Sequence, residues 1–329
     1  MTGKIRDDAV WITWEKQTRN RSASSYFDVP LFEIIDDGSY RIARYLKSIS
    51  KTVAIINRQR PRYFFAQNPS VVLALLAVSI GPLLRCKVII DAHNAGIHGP
   101  ERSNPLVRKL NRFIIRKANA VIVTNAELAS YASSLGGNPI VLPDPLPLFT
   151  EDKGTAVEDR TSTLKALCIT SWSDDEPLLE ILEAAKKFED EIVFYFSGNF
   201  RKTPHLIPNK LPANVNLLGY VDEAEFHRHL FSADFCIDMT KRSDCMVCGA
   251  YESISAEKPV ILSDTPVQRS YFSKGTVFSK NSSMEIADAI KVMRNNLATM
   301  KMEAAQLKNE ILKQEKNSKV SILLKIQQL

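Results

Sequence analysis

RSDCMVCGAYESISAEKPVILSD, residues 242–264, places a polar loop, a run of small residues and a short apolar segment in direct succession. The small residues GAYESISAE (249–257) favour a helix, and PVILSD (259–264) has the apolar character and the length of a buried strand. A helix followed at once by a buried strand is the repeating unit of folds in which helices cover a parallel sheet. The stretch therefore predicts an α/β fold, and the same alternation is expected on both sides of it.

The alternation of strands and helices extends over almost the whole chain. Short apolar runs, typical of strands, are separated by longer segments with one apolar face, typical of helices. A long charged helix from about residue 283 to 316 and a short apolar tail come last. The predicted strands are 9–14, 29–35, 62–67, 87–94, 120–125 and 139–143 in the first half and 165–171, 192–199, 215–221, 233–239 and 259–264 in the second.

The length of 329 residues fits two domains, because domains most often contain about 100–150 residues. PDPLPLFTEDKGTAVEDRTST (143–163), between the two series of strands, is rich in proline, threonine and charge and has no periodic apolar face. These features predict a Rossmann-like domain over 1–150, a linker over 151–163 and a second Rossmann-like domain over 164–329. Doubly wound sheets bind ligands at the carboxyl ends of their strands, so we expect the two domains to face a ligand-binding cleft.

The composition indicates a globular protein with anionic partners. Apolar residues make up 45% and charged residues 24% of the chain, as in ordinary soluble domains. The net charge of +6 favours nucleotides, sugar phosphates or an acidic membrane face. Nucleic acid is not expected as a partner, because the sequence has no basic run with interleaved aromatic residues. The longest apolar stretch, Val71 to Leu84, is too short to span a bilayer and contains Gly81-Pro82.

Cysteine usage and the N-terminal residues bear on location. The five cysteines are an odd number, and three of them lie in apolar strand-like runs, as reduced core cysteines do. MTGKIRDDAVWITW (1–14) has acids before its apolar run and lacks the small-residue cleavage site of a secretion signal. A cytoplasmic location is therefore expected, with the inner face of the membrane as a second place where the protein acts.

Cys245 and Cys248, three residues apart, raise the question of a metal or redox site. A structural zinc ion needs four ligands, and the sequence has no second Cys or His pair at matching spacing. His227 and His229 are two residues apart on a predicted helix and therefore face different ways. No metal site is expected. Small residues at a loop-to-helix junction explain the cysteines more simply than a redox pair does, and the redox alternative stays open.

Two acids flank these cysteines and offer a different chemistry. Asp244 and Glu252 are eight residues apart. If the helix begins near Cys248, Glu252 lies in its first turns and Asp244 in the preceding loop. A carboxylate so placed can accept two hydrogen bonds from a ribose diol, and the helix N–H groups around Gly249 can hold a diphosphate. The stretch therefore predicts nucleotide binding.

The two acids are followed by a helix of small residues, Lys258-Pro259 and a strand, and this pattern resembles a known family. It is similar to the E-x7-E signature of the two-domain glycosyltransferases of the GT-B fold, in particular glycosyltransferase family 4. The resemblance implies that Glu252 binds the nucleotide ribose. It also implies that Asp244, in place of the first glutamate, lies beside the donor sugar and takes part in catalysis. Glu257 replaces the glycine that is usual before the Lys-Pro pair.

Other segments extend the resemblance over nearly the full chain. TSWSDDEPLLEILEA (170–184) and FFAQNPSVVLALLA (64–77) look like segments of the β-mannosyltransferases that act on chitobiosyl-diphosphodolichol and of similar bacterial enzymes. DAHNAG (91–96) matches a strand-end motif that carries a His or Asn beside the donor sugar. The resemblance implies Asp91 and His93 as catalytic residues, Asn94, Arg21 and Ser22 as acceptor-side residues, and Ser171 as a donor contact.

Two parts of the family pattern are missing. The first β–α loop carries Arg21-Ser22 where the family usually has Gly-Gly. The Arg and Lys pair that usually holds the diphosphate after the first strand of the second domain is also absent. Arg201 and Lys202, which follow SGN at the next strand end, are the expected substitutes. Asp-x-Asp occurs nowhere, which argues against the metal-diphosphate clamp of the other major glycosyltransferase fold.

The resemblance implies a metal-independent hexosyltransferase without a further cofactor. The donor would be a nucleotide-diphosphate sugar, UDP- or GDP-linked, and the acceptor a glycan or a polyprenyl-linked molecule in cell-surface polysaccharide or glycoconjugate synthesis. If the enzyme inverts the anomeric centre, Asp91 or His93 deprotonates the acceptor, and if it retains it, no separate base is needed. The basic residues of 104–117 fit peripheral contact with an anionic membrane. A nucleotide-sugar epimerase of the same fold and a non-catalytic partner subunit are the alternatives.

Overall fold

The computed structural model describes residues 5, 8–36, 38, 40–68, 70–92, 97, 105–149, 163–207 and 210–329. The chain divides into two compact units, one made of Met1–Pro145 together with Gln314–Leu329 and the other of Leu146–Lys313. The sequence assigned 314–329 to the second domain, whereas the structure groups these residues with the first. The predicted linker 151–163 lies outside the described residues, except for residue 163.

In the described part of the first unit, parallel strands form one six-stranded sheet with helices on both faces. Its elements are β1 (Ala9–Thr13), α1 (Thr18–Phe27), β2 (Leu31–Glu33), α2 (Arg41–Gln59), β3 (Tyr63–Asn68), α3 (Val71–Ile80), β4 (Lys87–Ala92), α4 (Pro105–Lys117), β5 (Ala120–Val123), α5 (Ala126–Ser134) and β6 (Pro139–Val141). The strand order is β2-β1-β3-β4-β5-β6. The direction of the order reverses between β1 and β3, where open α/β sheets leave a crevice at the carboxyl ends of their strands.

The second unit has its own parallel sheet of six strands in its described part. Its elements are β7 (Leu164–Cys168), α6 (Leu178–Ala185), β8 (Ile192–Ser197), β9 (Val215–Gly219), α7 (Glu223–Ser232), β10 (Phe235–Asp238), α8 (Cys248–Ser255), β11 (Val260–Ser263), α9 (Pro266–Tyr271), β12 (Thr276–Ser279), α10 (Ser283–Asn295) and, as far as Lys313, α11 (Leu297–Gln327). The strand order β12-β11-β10-β7-β8-β9 is that of a Rossmann sheet, with its reversal between β7 and β10.

Each sheet separates two apolar cores, because successive side chains of a strand point to opposite faces. In the first unit, Val10 and Ile12 pack with α2, α3, α4 and α5, whereas Trp11 packs with α1 and the C-terminal part of α11. In the second unit, Cys168 lies in the core beneath α6 and α10, and its neighbour Leu167 in the core beneath α7 and α8. The predicted α/β class with two doubly wound sheets is confirmed.

The C-terminal region differs from the sequence-based expectation. The predicted helix over 283–316 is two helices, because α10 ends at Asn295 and α11 starts at Leu297. The predicted apolar tail is the last part of α11, where Ile322 and Ile326 are buried in the first unit. Strand β12 was not predicted. Among the described residues, every helix is too short or too polar to cross a bilayer.

Candidate functional site

The candidate site lies in the second unit, at the carboxyl ends of β7 and β10, where the strand order reverses. We call the two loops that follow these strands, 169–177 and 239–247, the β7–β10 crevice. The loops are linked, since the Lys241 N–H donates to the Asp175 carbonyl at 2.6 Å. The guanidinium of Arg242 also pairs with the Asp175 carboxylate at 3.0 Å. The topology thus places these loops where Rossmann sheets bind nucleotides.

Glu176 shapes the first loop of the crevice. Its carboxylate accepts the backbone N–H groups of Ser171 at 2.8 Å, Trp172 at 2.9 Å and Ser173 at 3.2 Å. The Ser171 hydroxyl donates to the same carboxylate at 2.7 Å. Burial raises the pKa of Glu176 despite these hydrogen bonds. The loop is therefore folded around an acid of the chain itself, and Ser171, a predicted donor contact, is exposed and held by that acid.

Sequence reasoning missed Glu176, although a signal was present. Ser173-x-x-Glu176 directly before the apolar helix that starts at Leu178 has the spacing of a helix capping box. That pattern predicts a carboxylate that turns back onto backbone N–H groups.

Asp238, at the end of β10, is a second acid that the sequence analysis did not single out. It is buried, and it accepts hydrogen bonds from the backbone N–H groups of Gly249 and Ala250 at the start of α8. Burial raises its pKa well above the usual value, and the nearby charges of Glu176 and Glu252 raise it further. The N–H groups that were predicted to hold a diphosphate thus already donate to the Asp238 carboxylate.

Gly249 allows α8 to approach the sheet closely. A Cβ atom at this position would lie 2.5 Å from Oδ2 of Asp238 and 2.7 Å from Cγ2 of Ile169. Only a residue without a side chain fits there while Asp238 and Ile169 keep their positions. The absent side chain of Gly249 thus brings the helix start to the crevice, and the role of Gly249 in donor binding stays a prediction.

The two acids of the E-x7-E-like pattern lie where the sequence predicts. Helix α8 begins at Cys248, so Glu252 is in its second turn and Asp244 is in the preceding loop. Both side chains are partly exposed. Glu252 is close enough to Asp238 and Cys236 to raise the pKa of both groups. The placement of both acids is thus confirmed, whereas their roles with a donor remain predictions.

The cysteines of the same stretch stand at the helix start. Cys245 is half-buried, and Cys248 is exposed. Within the described ranges, no group of three or more His, Cys, Asp or Glu side chains is arranged to hold a metal ion.

Arg201 and Lys202 lie one strand away from the crevice. They are exposed in a short 3-10 helix, Phe200–Lys202, that follows β8, and β8 is the neighbour of β7 in the sheet. Thr203, the next residue, donates its hydroxyl to the Trp172 carbonyl at 3.3 Å. Their segment thus borders the first loop of the crevice, and their contact with a diphosphate remains a prediction.

In the first unit, Asp91 is a buried ion-pair partner. Nε of Arg19 donates to both carboxylate oxygens of Asp91 at 3.1 Å, and Nη2 donates to Oδ1 at 2.6 Å. Arg19 also pairs with Asp144, and all three side chains are buried. Both oxygens of the Asp91 carboxylate thus already accept hydrogen bonds from a side chain of the same unit. The geometry favours a structural role for Asp91, and His93 and Asn94 lie outside the described residues.

The predicted acceptor-side residues Arg21 and Ser22 belong to a helix. The sequence placed them in the first β–α loop, but α1 already begins at Thr18 and both residues lie within it. The Arg21 guanidinium pairs with the Glu33 carboxylate at 3.1 Å on the surface. The loop after β1 is therefore shorter than predicted, and the acceptor role of these residues remains untested.

Neither a protein-family model nor a curated protein sequence matches the chain. Its structure is similar to that of HepE from Anabaena in complex with UDP-glucose, with a TM-score of 0.72, 12% identity, and coverage of 98% of this chain and 93% of that one. Sucrose-phosphate synthase from Thermosynechococcus elongatus has a TM-score of 0.70 at 14% identity over 92% of this chain and 82% of that one. A glycosyltransferase from Rickettsia africae has a TM-score of 0.60 at 14% identity, over 96% and 87% of the two chains. The chain therefore has the GT-B glycosyltransferase fold.

Proposed function

We propose that the protein is a nucleotide-sugar-dependent hexosyltransferase whose donor binds at the β7–β10 crevice. One observation carries this proposal: Asp244 and Glu252 flank the start of a helix at the strand-order reversal of a Rossmann-ordered sheet. The likeness to HepE, whose structure contains UDP-glucose, supports a UDP-linked donor, and a GDP-linked donor is the second candidate.

The donor contacts follow from the chemistry of each residue. Glu252 accepts hydrogen bonds from the ribose diol, and Asp244 lies beside the transferred sugar. The leaving diphosphate needs positive charge as it departs. Because Asp238 occupies N–H groups of Gly249 and Ala250, Arg201 and Lys202 carry most of that task. Metal-independent transfer follows from this assignment, since basic side chains replace the divalent ion.

The acceptor side belongs to the first unit in this proposal. With Asp91 engaged by Arg19, His93 is the preferred base if the reaction inverts the anomeric centre. Asn94, Arg21 and Ser22 remain the proposed acceptor contacts. The acceptor is a glycan or a polyprenyl-linked molecule of cell-surface polysaccharide or glycoconjugate synthesis.

A thermal-shift series with UDP-, GDP-, dTDP- and ADP-sugars tests the donor. We expect one nucleotide class to raise the melting temperature, because a ligand that binds only the folded state stabilises it. Glu252→Gln should weaken that ligand by about 10- to 100-fold, the effect of losing a charge-assisted hydrogen bond. The matched control is Glu183→Gln, an exposed acid on α6, which should leave the shift unchanged. A series in which no nucleotide sugar shifts the melting temperature contradicts the proposal.

Product analysis separates transfer from the alternative activities. Incubation of the donor with a mixed glycan and lipid-linked acceptor preparation should give a glycosylated acceptor and free nucleoside diphosphate. Conversion of the donor sugar into an isomer without any acceptor would identify an epimerase instead. Donor binding without either product would favour a non-catalytic partner subunit.

A further inference from the structure

Two helices on one face of the first sheet carry a large share of the positive charge of the protein. Residues 40–62, which contain α2, include seven Lys or Arg residues and no acid. Residues 105–117, which form α4, include five and again no acid. Since the net charge of the whole chain is +6, all other residues together are net negative. The positive charge is thus concentrated on these two helices.

The two helices belong to one layer of the molecule. Both pack on the same face of the sheet, where Ile56 of α2 and Ile114 of α4 enter one core. Helix α3 lies between them and contacts both. In a parallel α/β sheet, a helix that follows a strand starts near the carboxyl end of that strand. The N-terminal halves of α2 and α4 therefore both lie at the edge of the sheet where substrates bind.

This layer also exposes large apolar side chains among its charges. Tyr40, Ile42 and Leu46, at the N-terminal end of α2, are 92%, 76% and 64% exposed. Ile42 and Leu46 are four residues apart and share one side of the helix. On α4, Leu106 and Phe113 are exposed and also share one side. Single exposed apolar residues are common, but three within seven residues form a patch.

We propose that this surface docks the protein on an anionic lipid bilayer. The α2–α4 surface is defined by Tyr40, Ile42, Leu46, Leu106 and Phe113 with the exposed basic residues Arg41, Arg44, Lys47, Arg108, Lys109 and Arg112. Apolar side chains enter the acyl boundary, and the surrounding cations bind lipid phosphates.

Charge complementarity selects this occupant. A polyanion such as nucleic acid would use the basic residues but would leave Ile42 and Leu46 in water. An apolar protein partner would bury those two residues but would supply no negative charge to the exposed cations around them. Asp36 pairs with Lys47 at 3.5 Å, and the other cations of α2 are exposed to solvent. An anionic membrane would bury the apolar side chains and neutralise the cations at once. The proposal does not depend on the chemistry of the second unit.

Vesicle co-sedimentation of the full chain tests the proposal. We expect the protein to pellet with vesicles of phosphatidylcholine and phosphatidylglycerol, and not with phosphatidylcholine alone. The double variant Arg41→Gln/Arg44→Gln should bind roughly 20- to 30-fold more weakly, because each cation near an anionic surface contributes a factor of about five. The control Lys186→Gln/Lys187→Gln removes the same charge from exposed positions of the second unit and should change little.

A second variant separates membrane insertion from simple charge attraction. Ile42→Ser/Leu46→Ser keeps every charge, and we expect it to lose at least about tenfold in vesicle affinity. The proposal is overturned if vesicles bind none of these proteins, if the control loses as much as the α2 variant, or if Ile42→Ser/Leu46→Ser binds like the unchanged protein. Tighter binding to heparin than to anionic vesicles, unaffected by Ile42→Ser/Leu46→Ser, would assign the surface to a soluble polyanion. The nucleotide-sugar thermal shift of all variants should equal that of the unchanged protein.

Discussion

Asp238 is a buried acid whose neighbours include two more carboxylates. The N–H groups of Gly249 and Ala250 favour its charged form, but burial and the charges of Glu176 and Glu252 oppose it more strongly. A folded protein with such a group binds a proton more readily than the unfolded chain does. The contribution of Asp238 to the free energy of unfolding is therefore fully present below the usual aspartate pKa of 3.8, and it is lost as the pH rises through the pKa of Asp238 in the folded protein.

We therefore predict that Asp238→Asn changes the pH dependence of stability. Asparagine stays neutral, so the variant should gain stability relative to the unchanged protein as the pH rises from about 4 to about 8. Each unit of pKa shift corresponds to about 1.4 kcal/mol of that gain. Melting temperatures of both proteins over this range show how their difference in stability changes with pH. Any pH-independent effect of the amide on stability leaves that change unaltered.

The control for this prediction is an acid whose pKa moves the other way. A hydrogen bond from Arg269 lowers the pKa of the exposed Asp264, so its contribution is present above the usual pKa and lost on acidification. Asp264→Asn should therefore show a small difference of opposite slope. If the melting temperatures of Asp238→Asn and of the unchanged protein change with pH in the same way, the charged form of Asp238 does not destabilise the folded protein.

At the residue scale, the sequence predicted where acidic residues lie better than it predicted which groups they bind. The spacing of Asp244 and Glu252 placed both acids correctly, because a helix start can be read from small residues and periodicity. Glu176 was missed although the Ser173-x-x-Glu176 spacing indicates a carboxylate that turns back onto backbone N–H groups. Asp238 has no such signal, because its partners, the N–H groups of Gly249 and Ala250, come together with it only in the folded chain.

Helix α11 gives the prediction at the scale of elements. Ile326 is fully buried in a core of the first unit, and the Tyr26 hydroxyl donates to the Glu315 carbonyl at 2.9 Å. Ile326→Ala should destabilise the first unit by about 2–5 kcal/mol, because the removed atoms leave a cavity. Leu324→Ala, at a position that is 51% exposed in the same turns, should cost less than about 0.5 kcal/mol.

Denaturant unfolding of the full chain measures both variants, with tryptophan fluorescence as a probe because Trp11 lies in the core that contains Ile326. Equal unfolding curves for Ile326→Ala and Leu324→Ala would show that the C-terminal part of α11 does not belong to the first unit.

Elements with strong periodicity were predictable, and their tertiary partners were not. The alternation of apolar runs and amphipathic segments identified most strands, since parallel strands buried on both faces are almost entirely apolar. The break between α10 and α11 at Asn296 could not be predicted from a helix-breaking residue, because neither glycine nor proline occurs there. The spacing of Ile322 and Ile326 predicts an amphipathic helix, but it carries no information about which sheet that helix covers.

At the scale of the whole molecule, two sheets with separate cores allow the proposed ligand contacts of each unit to be tested separately. Donor contacts are proposed on the Rossmann-ordered sheet of the second unit, and acceptor contacts on the first. A lesion in the core of one unit should therefore leave ligand binding by the other intact, because mutations without shared contacts act independently.

Arg19→Met and Gly249→Ala form a pair that tests this separation. Arg19→Met leaves Asp91 and Asp144 buried without their cation, which should destabilise the first unit by about 3–5 kcal/mol. Gly249→Ala forces a methyl group to within 2.5 Å of Asp238 and should cost the second unit about 1–3 kcal/mol.

The variant that loses more stability should keep its affinity for a nucleotide-sugar donor, and the variant that loses less stability should lose donor affinity. The more damaged protein, Arg19→Met, should keep the donor affinity of the unchanged chain, because its second unit is intact. Gly249→Ala should bind the donor at least about tenfold more weakly, since α8 can no longer approach the ends of β7 and β10. Calorimetric titration well below the melting temperature of each variant measures this affinity. Donor binding that follows overall stability, with Arg19→Met the weaker binder, would mean that the second unit does not hold the donor alone.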